Sequence, residues 1–85
     1  MTYAEQVTAR LETLTDADIV RAMNAAGQAG DMVAVAVCQM ATGDDVRAPM
    51  SEHEWFRFEQ LNLDGIDAAR RTVAEMLVDG AEVTP

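Results

Sequence analysis

Histidine, cysteine and serine, which are common in nucleophilic catalysis, occur once each in this chain, as His53, Cys38 and Ser51. Nucleophilic catalysis needs a base close to the serine or cysteine, and no spacing in the sequence indicates such a pair. Ser51 stands three residues before Glu54, as in a helix-capping box. Cys38 lies in an apolar run, which indicates a buried, unreactive thiol. We therefore expect that the protein is not an enzyme.

The best candidates for metal ligands are His53 and the glutamates beside it. A helical metal site places its ligands at i and i+4, whereas Glu52, His53 and Glu54 point to different sides of a helix. Asp44 and Asp45 lack the alternating oxygen ligands and the closing glutamate of a calcium loop. A phosphate-binding loop is excluded because the chain has no lysine. The sequence predicts no metal and no cofactor.

Three of the four aromatic residues lie together, as Trp55, Phe56 and Phe58, with Arg57 among them. Aromatic residues and arginine are favoured at the centres of protein–protein interfaces. The competing interpretation is that these side chains are simply the largest residues of the hydrophobic core. We retain Trp55, Phe56, Arg57 and Phe58 as a candidate aromatic patch for binding a partner.

The chain is strongly acidic, with a formal net charge of −9, and all six of its cationic side chains are arginines. Such a charge repels nucleic acid and anionic membranes and suits a basic protein surface. A GC-rich genome or a halophilic host would give the same composition without any specific function. The acidic residues that we expect to face a basic partner are Asp16, Asp18, Asp44, Asp45, Glu52, Glu54 and Glu59.

The length of 85 residues predicts one small domain, residues 1–85, with a modest core. A single cysteine excludes an internal disulfide and favours a reducing cytoplasm. The N-terminal residues have no apolar stretch typical of a signal peptide, and no run is long enough to span a bilayer.

The least polar segment, residues 24–45, organises the rest of the chain. As a helix, its apolar run would be capped by Asp31 and ended by a left-handed residue at Gly43. As a strand, it would use the alternating valines of residues 33–37. The presence of caps at both ends favours the helix, and a helix that is apolar nearly all round belongs in the middle of a bundle.

Four capping-box patterns, at residues 2–5, 15–18, 51–54 and 64–67, predict where the other helices begin. We expect the first helix to end near Leu14, the second at Gly27 and Gly30, and the last at Gly80, followed by a frayed tail over residues 81–85.

Apolar residues at helical spacing form stripes in three of these helices. The stripes are Val7, Leu11 and Leu14; Ile19, Val20, Met23 and Ala26; and Ile66, Ala69, Val73 and Leu77. On the outer side of the last helix we expect Arg70, Arg71 and Glu75, where Arg71 and Glu75 can pair at i and i+4. The sequence predicts an all-α bundle of four to five short helices around the central one. The alternative is an α+β fold with a small sheet from residues 33–38 and 55–61.

Residues 26–44 resemble small, uncharacterised helical accessory proteins of phages and plasmids. In those proteins an Ala-Gly-Asp turn leads into an apolar helix with a cysteine about two turns in, then an alanine and a second Gly-Asp. The matching residues here are Ala29, Gly30, Asp31, Cys38, Ala41, Gly43 and Asp44, and the second Gly-Asp comes one residue early. The resemblance implies a mobile-element origin and structural roles for these residues.

These observations favour a small, acidic, non-enzymatic protein that works by protein–protein interaction. One hypothesis is an anti-defence inhibitor, similar to anti-CRISPR proteins that mimic DNA, which covers the basic nucleic-acid-binding face of a host protein. The alternative is a helical adaptor or homo-oligomer that uses the aromatic patch. The first hypothesis predicts binding that weakens with salt, and the second predicts binding that survives salt.

Overall fold

The chain folds into five α-helices without a strand in residues 1–83, the part that the computed structural model describes, with side chains described to residue 80. The helices are α1 (Tyr3–Glu12), α2 (Asp16–Ala29), α3 (Met32–Ala41), α4 (Glu52–Gln60) and α5 (Ile66–Val83). The all-α prediction is confirmed. The α+β alternative is wrong, because both segments proposed for a sheet, residues 33–38 and 55–61, are helical, apart from the helix-terminal residue 61.

The central apolar segment forms α3, which packs against α2, α4 and α5. Its N-cap is Asp31, whose Oδ1 accepts a hydrogen bond of 3.1 Å from the backbone N–H of Ala34. Gly43 follows its C-terminus in the left-handed region, with φ 82°. Six of its ten residues are buried, which are Val33, Ala34, Ala36, Val37, Cys38 and Ala41. An apolar helix surrounded by three others satisfies its backbone internally and buries its side chains in several directions.

Three of the predicted capping boxes are formed, at the starts of α1, α2 and α4. The fourth, predicted for residues 64–67, is wrong. Helix α5 begins two residues later than Asp64, and its first backbone bond runs from the N–H of Ala69 to the carbonyl of Gly65 at 3.1 Å. Asn62 and Gly65 both have positive φ, 52° and 111°. The left-handed backbone at these positions turns the chain immediately before α5.

Two predicted helix ends are also corrected. Gly27 lies inside α2, and the helix ends at Gly30 alone, which takes a left-handed conformation with φ 76°. Gly80 lies inside α5, which continues to Val83. A glycine lowers helix stability by about 1 kcal/mol relative to alanine, but it ends a helix only where it adopts the left-handed conformation. The last two residues of the predicted tail, 84–85, lie outside the described residues.

The buried side chains form two clusters. The smaller joins α1 to α5 through Val7, Ala74 and Val78. The larger lies among α2, α3 and α5 and contains Leu14, Ile19, Val37, Cys38, Ala41, Ala69 and Val73. The predicted stripes supply half of these residues, namely Val7, Leu14, Ile19, Ala69 and Val73. Val20 and Ile66 are exceptions, being 42% and 49% exposed.

None of the helices in residues 1–83 is both long enough and apolar enough to cross a membrane.

Candidate interaction surface on α4

Helix α4 forms an outer layer of the bundle. It begins at the capping box of Ser51, whose Oγ accepts a hydrogen bond of 3.2 Å from the N–H of Glu54. Among the helices of residues 1–83, α4 packs against α3 alone, and none of its nine residues is buried. Most of the surface of α4 therefore faces solvent.

The candidate aromatic patch is divided by this arrangement. Phe58 is half-buried and packs against the larger core cluster, so the interpretation as core applies to this residue. Trp55 and Phe56 are 38% and 59% exposed. The rings of Trp55 and Phe58 meet edge to face, with centroids 5.9 Å apart and an interplanar angle of 86°. Phe58 thus holds Trp55 at the boundary between core and solvent, and Phe56 faces solvent.

Four exposed residues share the outer face of α4. Glu52, Trp55, Phe56 and Glu59 stand at i, i+3, i+4 and i+7, which places them in one row along a helix. We call these four residues the outer row of α4. It presents two large apolar rings between two carboxylates.

The carboxylates of the outer row have no arginine partner among residues 1–80. The ion pairs described there involve Arg10, Arg21, Arg47 and Arg70. Arg57, the one cation on α4, is exposed and lies off the row. The pKa of Glu54 is lowered chiefly by the hydrogen bond from the backbone of Ser51, and the charge of Arg57 adds a smaller effect.

Asp16 and Asp18, the acidic candidates at the start of α2, form ion pairs with arginines of the same chain. Asp18 is paired with Arg10 at 3.3 Å and with Arg21. Its pKa is lowered, chiefly by the hydrogen bond from the backbone N–H of Thr15. Asp16 lies 3.2 Å from Arg70. These two aspartates are therefore partly neutralised by neighbouring arginines.

The other acidic candidates divide between α4 and the loop before it. Glu54 accepts a hydrogen bond of 2.9 Å from the backbone N–H of Ser51, which is the main cause of its lowered pKa. In the loop, Asp45 lies 3.7 Å from Arg47, both being exposed, and Asp44 accepts a hydrogen bond of 3.3 Å from the hydroxyl of Thr42. No group of three or more His, Cys, Asp and Glu side chains within residues 1–80 is placed to hold a metal ion.

A residue that the sequence did not single out, Gln39, fixes the loop leading into α4. Its Oε1 accepts hydrogen bonds from the backbone N–H groups of Arg47 at 2.9 Å and Ala48 at 3.1 Å. Gln39 is the one polar side chain of α3. The sequence did contain a signal for this role, because a polar side chain in an otherwise apolar helix usually has a specific hydrogen-bond partner.

The thiol of Cys38 is buried in the larger core cluster. Burial raises its pKa to about 11, with a smaller contribution from the charge of Asp31. The thiol is therefore protonated at neutral pH, and the prediction of a buried cysteine is confirmed.

Comparison of the chain with protein-family models, with curated proteins and with solved structures gave no match. The outer row of α4 is therefore assigned from its own chemistry, which is that of an exposed aromatic and acidic helix face.

Proposed function

We propose that this protein acts by binding another protein through the outer row of α4, without catalysing a reaction. The observation that supports the proposal is the exposure of Phe56 and Trp55, at 59% and 38%. Large aromatic side chains gain free energy when they leave water, and they dominate the binding energy of many protein interfaces. Their position on one short helix gives a small, defined contact surface.

The surroundings of α4 hold these rings in place before a partner binds. The capping box of Ser51 fixes the start of the helix, Gln39 fixes the loop before it, and Phe58 contacts both the core and Trp55. A binding surface that is ordered beforehand loses less entropy on association. These contacts support α4 as a docking helix.

The proposal is tested by comparing tagged wild-type protein with two serine variants in a pull-down from the organism that carries the gene. Phe56→Ser removes the most exposed ring of the outer row. Val20→Ser is the matched control, because Val20 is also an exposed apolar residue, 42% exposed, on a helix that does not contact α4. We expect a partner that is retained by the wild type and by Val20→Ser and lost by Phe56→Ser. Equal retention by all three proteins would refute a role for the outer row.

A second candidate function is an inhibitor that covers the nucleic-acid-binding face of a host protein. It is favoured by the net charge of −9 and by the exposure of Asp44, Asp45, Glu52 and Glu59. Carboxylates at the surface of a helical protein substitute for phosphates in attracting a basic face, and such attraction is screened by salt. Asp16, Asp18 and Glu54 contribute less, because each is engaged within the protein.

The same pull-down separates this candidate from the first. A captured partner that is released when salt rises from about 50 to about 200 mM, and that is displaced by added duplex DNA, would support the inhibitor. A partner retained in high salt and indifferent to DNA would support an adaptor. Recovery of untagged copies of this chain alone would indicate a homo-oligomer.

A further inference from the structure

The outer row of α4 combines two kinds of group that recognise the same ligand chemistry. Glu52 and Glu59 lie two helical turns apart, and Trp55 and Phe56 occupy the turn between them. Carboxylates form charged hydrogen bonds with guanidinium groups. Aromatic rings attract cations and stack on guanidinium planes. The row is therefore complementary to arginine side chains rather than to an apolar surface alone.

We propose that the outer row of α4 docks a basic, arginine-bearing segment of a protein partner, with guanidinium groups packed on Trp55 and Phe56 and bonded to Glu52 and Glu59. This inference rests on the proposed function and adds the chemistry of the partner. Arginine fits better than lysine, because a guanidinium group is planar, weakly hydrated and able to stack on rings. The ammonium group of lysine is strongly hydrated and has no plane to stack.

The charge of the whole molecule supports a basic partner over a second copy. The chain carries a net charge of −9, which repels another copy and steers a cationic segment towards it. Within residues 1–80 four of the arginines are already paired with carboxylates of the chain. A self-contact through the outer row would also bring Glu52 and Glu59 close to their counterparts, which is unfavourable.

The single tryptophan of the chain gives a direct test, because its fluorescence reports on the outer row alone. The probes are three synthetic amphipathic helical peptides that differ only in their polar positions, which are arginine, lysine or glutamine. They are titrated into wild-type protein and into Glu52→Gln/Glu59→Gln. The control is Glu12→Gln/Asp79→Asn, which removes the same charge from exposed positions on α1 and α5.

We expect the arginine peptide to give a saturable change in Trp55 fluorescence, with weaker binding of the lysine peptide and none of the glutamine peptide. Glu52→Gln/Glu59→Gln should weaken binding of the arginine peptide by about tenfold, since two charged contacts are lost. The control variant should weaken it by less than about twofold, because distant exposed charges are screened.

Several results would overturn the inference. Equal weakening by the control variant would show that net charge alone attracts the peptide. Equal binding of the glutamine peptide, with loss in Phe56→Ser, would show an apolar partner and leave the proposed function standing. Absence of any fluorescence change up to about 1 mM arginine peptide, a concentration that detects very weak binding, would exclude arginine recognition. Concentration-dependent dimerisation in analytical ultracentrifugation would assign the row to a second copy.

Discussion

The guanidinium of Arg70 donates a hydrogen bond of 2.7 Å to the backbone carbonyl of Leu14. Another nitrogen of the same group lies 3.2 Å from Oδ1 of Asp16. Arg70 therefore joins α5 to the turn between α1 and α2, instead of lying on the outer side of its helix as predicted. Arg71 and Glu75, which are spaced so that they can pair, do not form an ion pair among those of residues 1–80.

Replacement of Arg70 by methionine should lower the free energy of unfolding by about 1–2 kcal/mol, because the part-buried carbonyl of Leu14 loses its partner. The side chain of Arg70 is 24% exposed, and methionine keeps most of its apolar packing. Arg71→Met is the control, since Arg71 is exposed, and it should change stability by less than about 0.5 kcal/mol. Urea denaturation measures both, and equal effects would contradict the role assigned to Arg70.

Gln39→Leu should destabilise the loop before α4, because it leaves the N–H groups of Arg47 and Ala48 without their acceptor. Ala48 is buried, so we expect a cost of about 1–2 kcal/mol for the unsatisfied donors. Gln39→Glu keeps an acceptor oxygen and should cost less. NMR hydrogen exchange at the two amides gives the local readout, and unchanged protection in Gln39→Leu would show that the hydrogen bonds do not hold the loop.

Phe56 and Phe58, two phenylalanines on α4, should respond differently to truncation. Phe58→Ala should lower stability by about 2 kcal/mol, because its half-buried ring packs against the core. Phe56→Ala should change stability by less than about 0.5 kcal/mol, since that ring is 59% exposed. Thermal denaturation followed by circular dichroism compares them. A large loss in Phe56→Ala would place its ring in the core and remove the basis of the docking proposal.

Stability should fall in acid because the pKa values of Asp18 and Glu54 are lower in the folded protein than their usual values of 3.8 and 4.5. A carboxyl group whose pKa is lower in the folded state stabilises the fold above its unfolded pKa, and that stabilisation is lost as pH falls through the folded pKa. Asp18→Asn and Glu54→Gln should therefore flatten the decline in stability below about pH 5. Glu59→Gln, at an exposed position without an ion pair among residues 1–80, serves as the comparison. An unchanged acid profile in both cap variants would contradict the assignment.

The thiol of Cys38 should be unreactive until the protein unfolds, because it is buried and its pKa is raised to about 11. The rate of modification by a thiol reagent should follow the rate of unfolding as denaturant is added. Raised pKa also means that the folded state disfavours the thiolate, so stability should decline above the unfolded pKa, near 9.0, and Cys38→Ala should remove that decline. Rapid modification of the native protein would contradict the buried position.

The starts of three helices could be predicted because a capping box is local. The donor and acceptor of the box lie three residues apart, so the pattern at Ser51 and Glu54 carries the whole interaction. The same pattern failed at residues 64–67, where the left-handed backbone of Asn62 and Gly65 delays the helix. Residue types alone do not reveal that α5 begins at Ile66 and not directly after Asp64.

The central segment was assigned correctly as a helix because Asp31 and Gly43 bracket it with capping signals. The contacts of Arg70 and Gln39 were not predictable in the same way. Each joins parts of the chain that are distant in sequence or separated by a loop, and their partners are backbone groups that every residue possesses. The division of the aromatic patch also depends on how α4 rotates against α3, which the helical period alone does not determine.

Helix α4 packs on α3 alone, and none of its nine residues is buried, so few tertiary contacts keep it folded. Segments of this kind open locally at a lower free energy than the core and exchange their amide hydrogens without global unfolding. A partner that binds only the helical form of α4 shifts that local equilibrium towards the folded state. The proposed docking helix is thus also the part of the molecule whose stability a partner would change most.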